Sequence, residues 1–256
     1  MPYAWAIGQW VTFTAVLART GGLFLFGPMF ASEQTPRRVK LALAVALALV
    51  VTPHVGLHPI SPPETLVGYG VLIAAEVGIG AALGFGTLLV FVAAQMAGQA
   101  ISQQMGVALG GIINPQFDED TSAVGQLYFL LAWGVFLLAG GHRALVDILL
   151  QTFRAIPPGQ GVLSRPVIET LVALSGESFS AAVRLAAPVL VALVASEMAV
   201  GLLGRTMPQL NTLVVGFPVR IVLGLSVLLF SLGGAAVLFG DELARATEAM
   251  RKALLP

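Results

Sequence analysis

The sequence predicts an all-α membrane protein, and three observations support this fold class. Only 10% of the residues are charged and 57% are hydrophobic, whereas a soluble domain carries about 25% charged residues. The mean hydropathy is +0.91, so the outer surface must face lipid or other apolar protein. The apolar residues form long unbroken runs, and a transmembrane barrel would instead alternate apolar with polar positions.

Six apolar runs predict about six helical elements in a single domain that covers residues 1–256. The first run contains its first basic residue, Arg19, in its middle, so it lacks the basic start of a signal peptide and is expected to be retained. Several runs reach the ~20 residues that a helix needs to span a bilayer, and the second is rather short. The runs are 7–31, 39–51, 66–94, 123–139, 181–204 and 210–239.

Proline, glycine and polar residues divide these runs. Four prolines lie within 53–63, and Pro157-Pro158-Gly159 lies at the start of a mixed stretch that extends to about Phe179. These segments are expected to be loops.

The final segment, 241–255, differs in kind from the apolar runs. It starts with acidic residues and carries basic residues near its end, and Leu243, Met250 and Leu254 fall on one helical stripe. This pattern predicts a short amphipathic helix.

The charge balance and the lack of cysteine exclude several classes of protein. Thirteen basic and thirteen acidic residues cancel, so the chain lacks the basic footprint of a nucleic-acid-binding protein. Without cysteine there is no disulfide framework, thiolate nucleophile or cysteine metal site. The positive-inside rule gives no orientation, because the basic residues of the first loop and those of the later loops favour opposite sides of a six-span arrangement.

Signals for enzymatic or metal chemistry are weak. His54 and His58 have the spacing of helical metal ligands, but the flanking prolines predict a loop there. Gly80 and Gly84 predict a small-residue face for close helix approach rather than a phosphate-binding loop. We therefore predict no catalytic residue, no metal and no cofactor.

Four charged residues, Arg19, Glu76, Glu197 and Arg220, lie inside apolar runs. A charge at the centre of a bilayer costs roughly 2.5–3.5 kcal/mol, so each needs a partner or water. They could form a proton or ion relay, or ion pairs that fix packing and assembly. Two acids and two bases in equal number favour pairing.

Residues 97–115 form an amide-rich, uncharged segment that ends in a glycine-rich apolar tip before Asn114-Pro115. A flexible apolar tip of this kind could obstruct a wet pore. The alternative is an ordinary re-entrant or helix-ending loop, which the physics of the segment alone favours.

Six ordered motifs resemble the FliR family of flagellar export-gate proteins and their counterparts in virulence type III secretion systems. They comprise Pro36-Arg37-Arg38-Val39-Lys40-Leu41, the stretch from Gly98-Gln99 through Gln104-Met105-Gly106 to Pro115, Gly140-Gly141-His142 with Phe153 and Pro157-Pro158-Gly159, Ala187-Pro188, the run from Gly201 to Asn211, and Gly216-Phe217-Pro218. The resemblance implies a packing role for the following residues of these motifs: Gly98, Gln99, Gln104, Met105, His142, Pro188, Arg205, Pro208, Gln209, Asn211 and Pro218.

The resemblance implies a non-enzymatic core subunit of a protein-export gate in the bacterial cytoplasmic membrane, within the flagellar basal body. One FliR-like chain joins five FliP-like chains in a helical assembly of bent hairpins, together with FliQ-like and FlhB-like subunits, and unfolded export substrates pass through its centre. The resemblance also implies a pore plug at 106–116, formed by Gly106, Leu109, Gly110, Gly111, Ile112, Ile113, Asn114, Pro115 and Gln116.

Two alternative functions remain open at this point. One is the equivalent subunit of a virulence injectisome, and the stretch from Arg205 to Pro218 favours the flagellar branch over it. The other is a proton-coupled secondary transporter that uses Glu76 or Glu197.

Overall fold

Seven α-helices contain most of the residues that the computed structural model describes, which are 2–28, 36–55, 63, 65–106, 122–161, 163–207 and 212–255. No β-strand occurs in these ranges. The prediction of an all-α protein is confirmed. The helices are α1 (Pro2–Phe26), α2 (Arg37–Val55), α3 (Leu66–Met105), α4 (Ala123–Leu138), α5 (Gly141–Ala155), α6 (Arg165–Thr206) and α7 (Thr212–Leu254).

Helix α6 begins inside the mixed stretch that was expected to be a loop as far as Phe179. That expectation was wrong, because the apolar residues of the stretch follow helical spacing. Val167, Leu174 and Ala181, seven residues apart, are buried, while polar residues between them, such as Glu177, are exposed. The stretch is an amphipathic helical start and not a linker.

Two other expectations about helix ends differ from the structure. Residues 241–254 are the last turns of the 43-residue α7 rather than a separate short helix, although the predicted stripe of Leu243, Met250 and Leu254 is buried as expected. Helix α2 contains Pro53 in its last turns and extends through His54 to Val55. Proline at this place removes one backbone hydrogen bond, which the preceding apolar turns of the helix outweigh. His58 lies outside the described residues.

A glycine hinge joins α4 to α5. Gly140 has a φ of +71°, a left-handed conformation that glycine adopts without steric strain, and the two helices meet there at a bend of 62°. On α5 the buried residues follow the helical period from Leu145 to Phe153, so this short helix presents one apolar face.

Among the residues that the structure describes, three helices are long and apolar enough to cross a membrane, and the bent pair α4 and α5 makes a fourth candidate if it is one broken span. Helices α3, α6 and α7 contain 40, 42 and 43 residues. At a rise of ~1.5 Å per residue each is about 60 Å long, twice the ~30 Å of a hydrocarbon core. A charge count that assumes six simple spans does not apply to helices of this length.

The chain divides into two compact units, one made of residues 1–89, 140–175 and 243–256 and the other of residues 90–139 and 176–242. In the first unit α1 packs against α2 and against the first half of α3. In the second unit the end of α3 packs closely against α4. A Cβ built on Gly98 would lie only 2.6 Å from the Gly125 nitrogen. Phe91 meets Phe136 edge-on at 5.6 Å between ring centroids in the same unit.

The contact between α1 and α3 uses the small-residue face that the sequence predicts at Gly80 and Gly84. A Cβ at Gly80 would collide with the Arg19 carbonyl oxygen and lie 2.9 Å from the Leu23 nitrogen. A Cβ at Gly84 would lie 2.7 Å from the nitrogen of Gly27. Because these neighbours are backbone atoms, they cannot rotate away.

Gly80→Ala is therefore expected to push α1 from α3 and to destabilise the protein by about 1–3 kcal/mol, as overpacking does. The measurement is the thermal unfolding midpoint of the purified protein. Gly70→Ala is the matched control, since Gly70 lies on the same helix and a Cβ there meets nothing within 4 Å. Equal unfolding midpoints for the two variants would contradict the close contact.

Candidate functional site

The first candidate site is a buried ion pair, which we call the Arg19 hub. Arg19 Nε donates a hydrogen bond of 2.6 Å to Glu76 Oε2, and the two side chains are 0% and 1% exposed. Arg19 falls on the buried stripe of α1 between Val16 and Leu23, and Glu76 lies one turn before the buried Ile79 of α3. The helical periodicity of two apolar faces thus points both charges inward.

The C-terminal end of α5 supplies the next contacts of the hub. Arg19 Nη1 donates to the carbonyl oxygens of Thr152 and Ile156, each at 3.0 Å. The Thr152 carbonyl also accepts the N–H of Ile156 at 2.8 Å, and the carbonyl end of a helix carries the negative end of the helix dipole. The guanidinium also lies over the ring of Phe153 at 4.6 Å from its centroid, a cation–π contact. Arg19 therefore serves as the cap of α5.

The second oxygen of Glu76 is bound by a turn. Gly159 donates its N–H to Glu76 Oε1 at 2.8 Å, and Gln160 closes the turn with a hydrogen bond of 3.1 Å to the Pro157 carbonyl. Gly159 has a φ of +86°, which a type II turn requires at its third position, and Pro158 suits the second. The turn formed by Pro157-Pro158-Gly159 therefore directs the Gly159 N–H toward the buried Glu76 carboxylate.

The hub is closely packed but one nitrogen is unpartnered. A Cβ at Gly161 would lie 2.5 Å from Ile79 Cδ1 and 3.4 Å from Glu76 Oε1. Arg19 Nη2 is buried without a hydrogen-bond partner among the described residues. Both carboxylate oxygens of Glu76 are engaged, so the arrangement fits a packing role better than a proton relay.

The second candidate site joins the ends of three helices, and we call it the Glu197 cluster. Arg220 Nη2 of α7 donates to Glu197 Oε1 of α6 at 2.5 Å. Gln104 Nε2 of α3 donates to Glu197 Oε2 at 3.1 Å. The side chains of Arg220 and Glu197 are 33% and 45% exposed within the chain, and the two residues pair as the equal number of acids and bases favours.

Residues next to Gln104 hold the end of α3. Met105 is 1% exposed, and a Cβ at Gly224 of α7 would lie 3.0 Å from its sulfur. Gly106, the first residue of the predicted plug, follows with a φ of +79° and terminates the helix. The rest of the predicted plug, from Leu109 to Gln116, lies outside the described residues.

The other predicted packing residues are spread along the helices. Gly98 packs closely on α4, and Gln99 is half-buried on α3. His142 lies in the first turn of α5, where its Nδ1 is buried with no partner in the part of the chain that the structure describes. Pro188 and Pro218 lie inside α6 and α7, where both are exposed, and Arg205 is exposed in the last turn of α6. Pro208, Gln209 and Asn211 lie outside the described residues.

Sequence reasoning missed Thr152, Ile156 and the amide of Gly159 as ligands of the hub. The Pro-Pro-Gly motif signals a turn, but nothing in its composition connects it to a carboxylate 83 residues away. Within the described ranges no group of three or more histidine, aspartate or glutamate residues could hold a metal ion.

The buried pair makes a direct stability prediction. Glu76→Gln leaves the Arg19 charge buried without its counter-ion and is expected to cost about 3–5 kcal/mol. The readouts are the thermal unfolding midpoint and the yield of folded protein. Glu169→Gln is the control, because that glutamate forms an exposed pair with Arg165, and exposed pairs contribute about 0–1 kcal/mol. Similar losses in the two variants would show that the hub is not a stabilising centre.

Comparisons with known proteins agree with the resemblance found in the sequence. The family model described as bacterial export proteins, family 1, matches residues 10–246. The flagellar biosynthetic protein FliR of Caulobacter vibrioides is 30% identical over 228 residues, which cover 89% of this chain and 90% of that protein. FliR of Bacillus subtilis is 27% identical over 248 residues, or 94% of each chain.

A relative from a secretion system also matches. The secretion system apparatus protein SsaT of Salmonella typhimurium is 29% identical over 161 residues, or 62% of each chain. Since the family model covers nearly the whole sequence, including both candidate sites, the chain belongs to the bacterial export proteins, family 1, a family of membrane export components and not of enzymes.

Proposed function

We propose that this protein is a core structural and gating subunit of the flagellar type III export channel in the bacterial cytoplasmic membrane. The observation that carries the proposal is the match over most of the chain to relatives named flagellar biosynthetic protein FliR. The protein would form part of the pore through which unfolded flagellar proteins leave the cytoplasm, and it would reside in the basal body.

The surface of the long helices supports a role inside a larger assembly. Only 28% of the apolar window of α6 and 17% of that of α7 is buried within the chain. On α6 the exposed large apolar side chains extend from Ile168 to Leu203. This is about 53 Å at a rise of ~1.5 Å per residue, so a hydrocarbon core of ~30 Å can cover only part of them. Other protein subunits must cover the rest. We assign that role to FliP-like, FliQ-like and FlhB-like subunits.

The segment after Gln104-Met105-Gly106 is proposed as the plug of the pore. It is uncharged from Gly98 to Phe117 and rich in glycine. Leu109, Ile112 and Ile113 are the side chains that would exclude water and ions from the closed channel. The described end of α3 supports this assignment, because it fixes the place where the segment leaves the helix.

Deletion of residues 106–116 is expected to let small ions leak through the assembled complex while assembly itself survives, because the obstructing apolar groups are gone. Ion conductance is measured in membranes that contain the complex. Replacement of Asp118, Glu119 and Asp120 by alanine, just after this segment, is the control and should leave the channel closed. An unchanged conductance in the deletion variant would remove the plug assignment.

The match to SsaT favours a second candidate, the equivalent subunit of a virulence injectisome. The two candidates are separated by complementation. We expect this chain to restore motility to a bacterium that lacks its FliR and not to restore secretion to one that lacks its injectisome counterpart. The opposite pattern would assign the chain to the injectisome. Expression of the chain in both strains is verified by immunoblot.

A further inference from the structure

Glu197 connects three helices through one carboxylate. Its Oε1 accepts from Arg220 of α7 and its Oε2 accepts from Gln104 of α3, while the residue itself belongs to α6. Each oxygen thus has a donor from a different helix. Removal of the carboxylate would break both contacts at once.

The arrangement ties the end of α3 to a helical hairpin. Helices α6 and α7 run side by side here, because a Cβ built at Gly216 of α7 would lie 3.6 Å from the Val200 side chain of α6. The Glu197–Arg220 pair links the two helices across this hairpin. Met105 gives α3 an apolar contact with α7 at Gly224. Gln104 gives it a directional polar contact with α6. An apolar contact tolerates sliding, whereas a hydrogen bond to a carboxylate fixes one position.

The exposure of the cluster distinguishes it from the Arg19 hub. Arg220 and Glu197 are 33% and 45% exposed, whereas the hub pair is 0% and 1% exposed. Solvent or a group from another subunit can therefore reach the Glu197 carboxylate and compete for its donors. A pair of this kind can be opened and closed without unfolding the helices that carry it.

We propose that Gln104 is a positioning residue, whose hydrogen bond to Glu197 holds the end of α3 against the α6–α7 hairpin. Loss of this hydrogen bond frees the end of α3. This inference rests on the proposed function, because the end of α3 is the root of the proposed plug. It adds a mechanical link from α6 and α7, both of which expose large apolar side chains, to the place where the plug begins.

The test uses hydrogen exchange measured by mass spectrometry on the complex that co-purifies with this chain. Gln104→Leu keeps a side chain of similar size without the donor, and it should raise amide exchange at residues 101–106 about three- to tenfold, the range expected for one lost hydrogen bond to a partly exposed charge. Gln103→Leu is the matched control, since Gln103 is the exposed neighbour on the same turn, and it should leave exchange unchanged.

A swap variant separates the hydrogen bond from effects on helix propensity. Gln104→Glu alone places two carboxylates together and should raise exchange further than Gln104→Leu. The double variant Gln104→Glu with Glu197→Gln restores a donor–acceptor pair between the two positions, with the roles reversed, and should return exchange toward the wild-type rate. Lack of rescue by the swap, or equal exchange in Gln104→Leu and Gln103→Leu, would overturn the proposal.

A conductance measurement on the same variants keeps this inference separate from the plug assignment. If the 106–116 deletion leaks ions and Gln104→Leu also leaks, the link from the cluster to the plug is supported. If the deletion leaks and Gln104→Leu does not, the link is overturned while the plug stands. If the deletion itself does not leak, the plug assignment fails, and hydrogen exchange alone decides whether Gln104 positions α3.

Discussion

The buried pair between Arg19 and Glu76 is the constraint on which the first unit of the structure depends. Either charge alone at this depth would cost several kcal/mol in lost hydration. The pair is acceptable because α5 contributes its terminal carbonyls and the Pro-Pro-Gly turn contributes an amide to the same cluster. Helices α1, α3 and α5 and the turn must therefore be in place together, so the hub makes their packing cooperative.

The Glu197 cluster has the same chemical components and a different environment. Both sites combine one arginine, one glutamate and one further donor to the second carboxylate oxygen. The hub is sealed from solvent, and the cluster is open to it. Solvent screening weakens an exposed ion pair, whereas each charge of a buried pair depends strongly on its partner. The Arg19 hub therefore suits a fixed contact between helices, and the Glu197 cluster suits a contact that can open and close.

The length of the helices relates these sites to export. The exposed large apolar side chains of α6 extend from Ile168 to Leu203, over about 53 Å, whereas a bilayer core is ~30 Å thick. The most apolar stretches of α6 and α7 are only 28% and 17% buried within the chain. Contacts with other subunits of an export apparatus would cover such a surface. The chain belongs to a family of bacterial export proteins, which is consistent with this need for apolar contacts outside the chain.

The sequence by itself determined the all-α class, the approximate apolar runs, the close glycine contact at Gly80 and Gly84, and the need for partners of the four charges that lie inside apolar runs. These features follow from the spacing of apolar residues and from local composition, both of which can be read from a short stretch of sequence. Only the tertiary structure decided that Arg19 meets Glu76 over a separation of 57 residues, that Gly159 completes the hub, and that Gln104 joins Glu197. An ion pair depends on which helix faces come together, and that choice is made by the packing of the whole chain and not by the residues on either side of each charge.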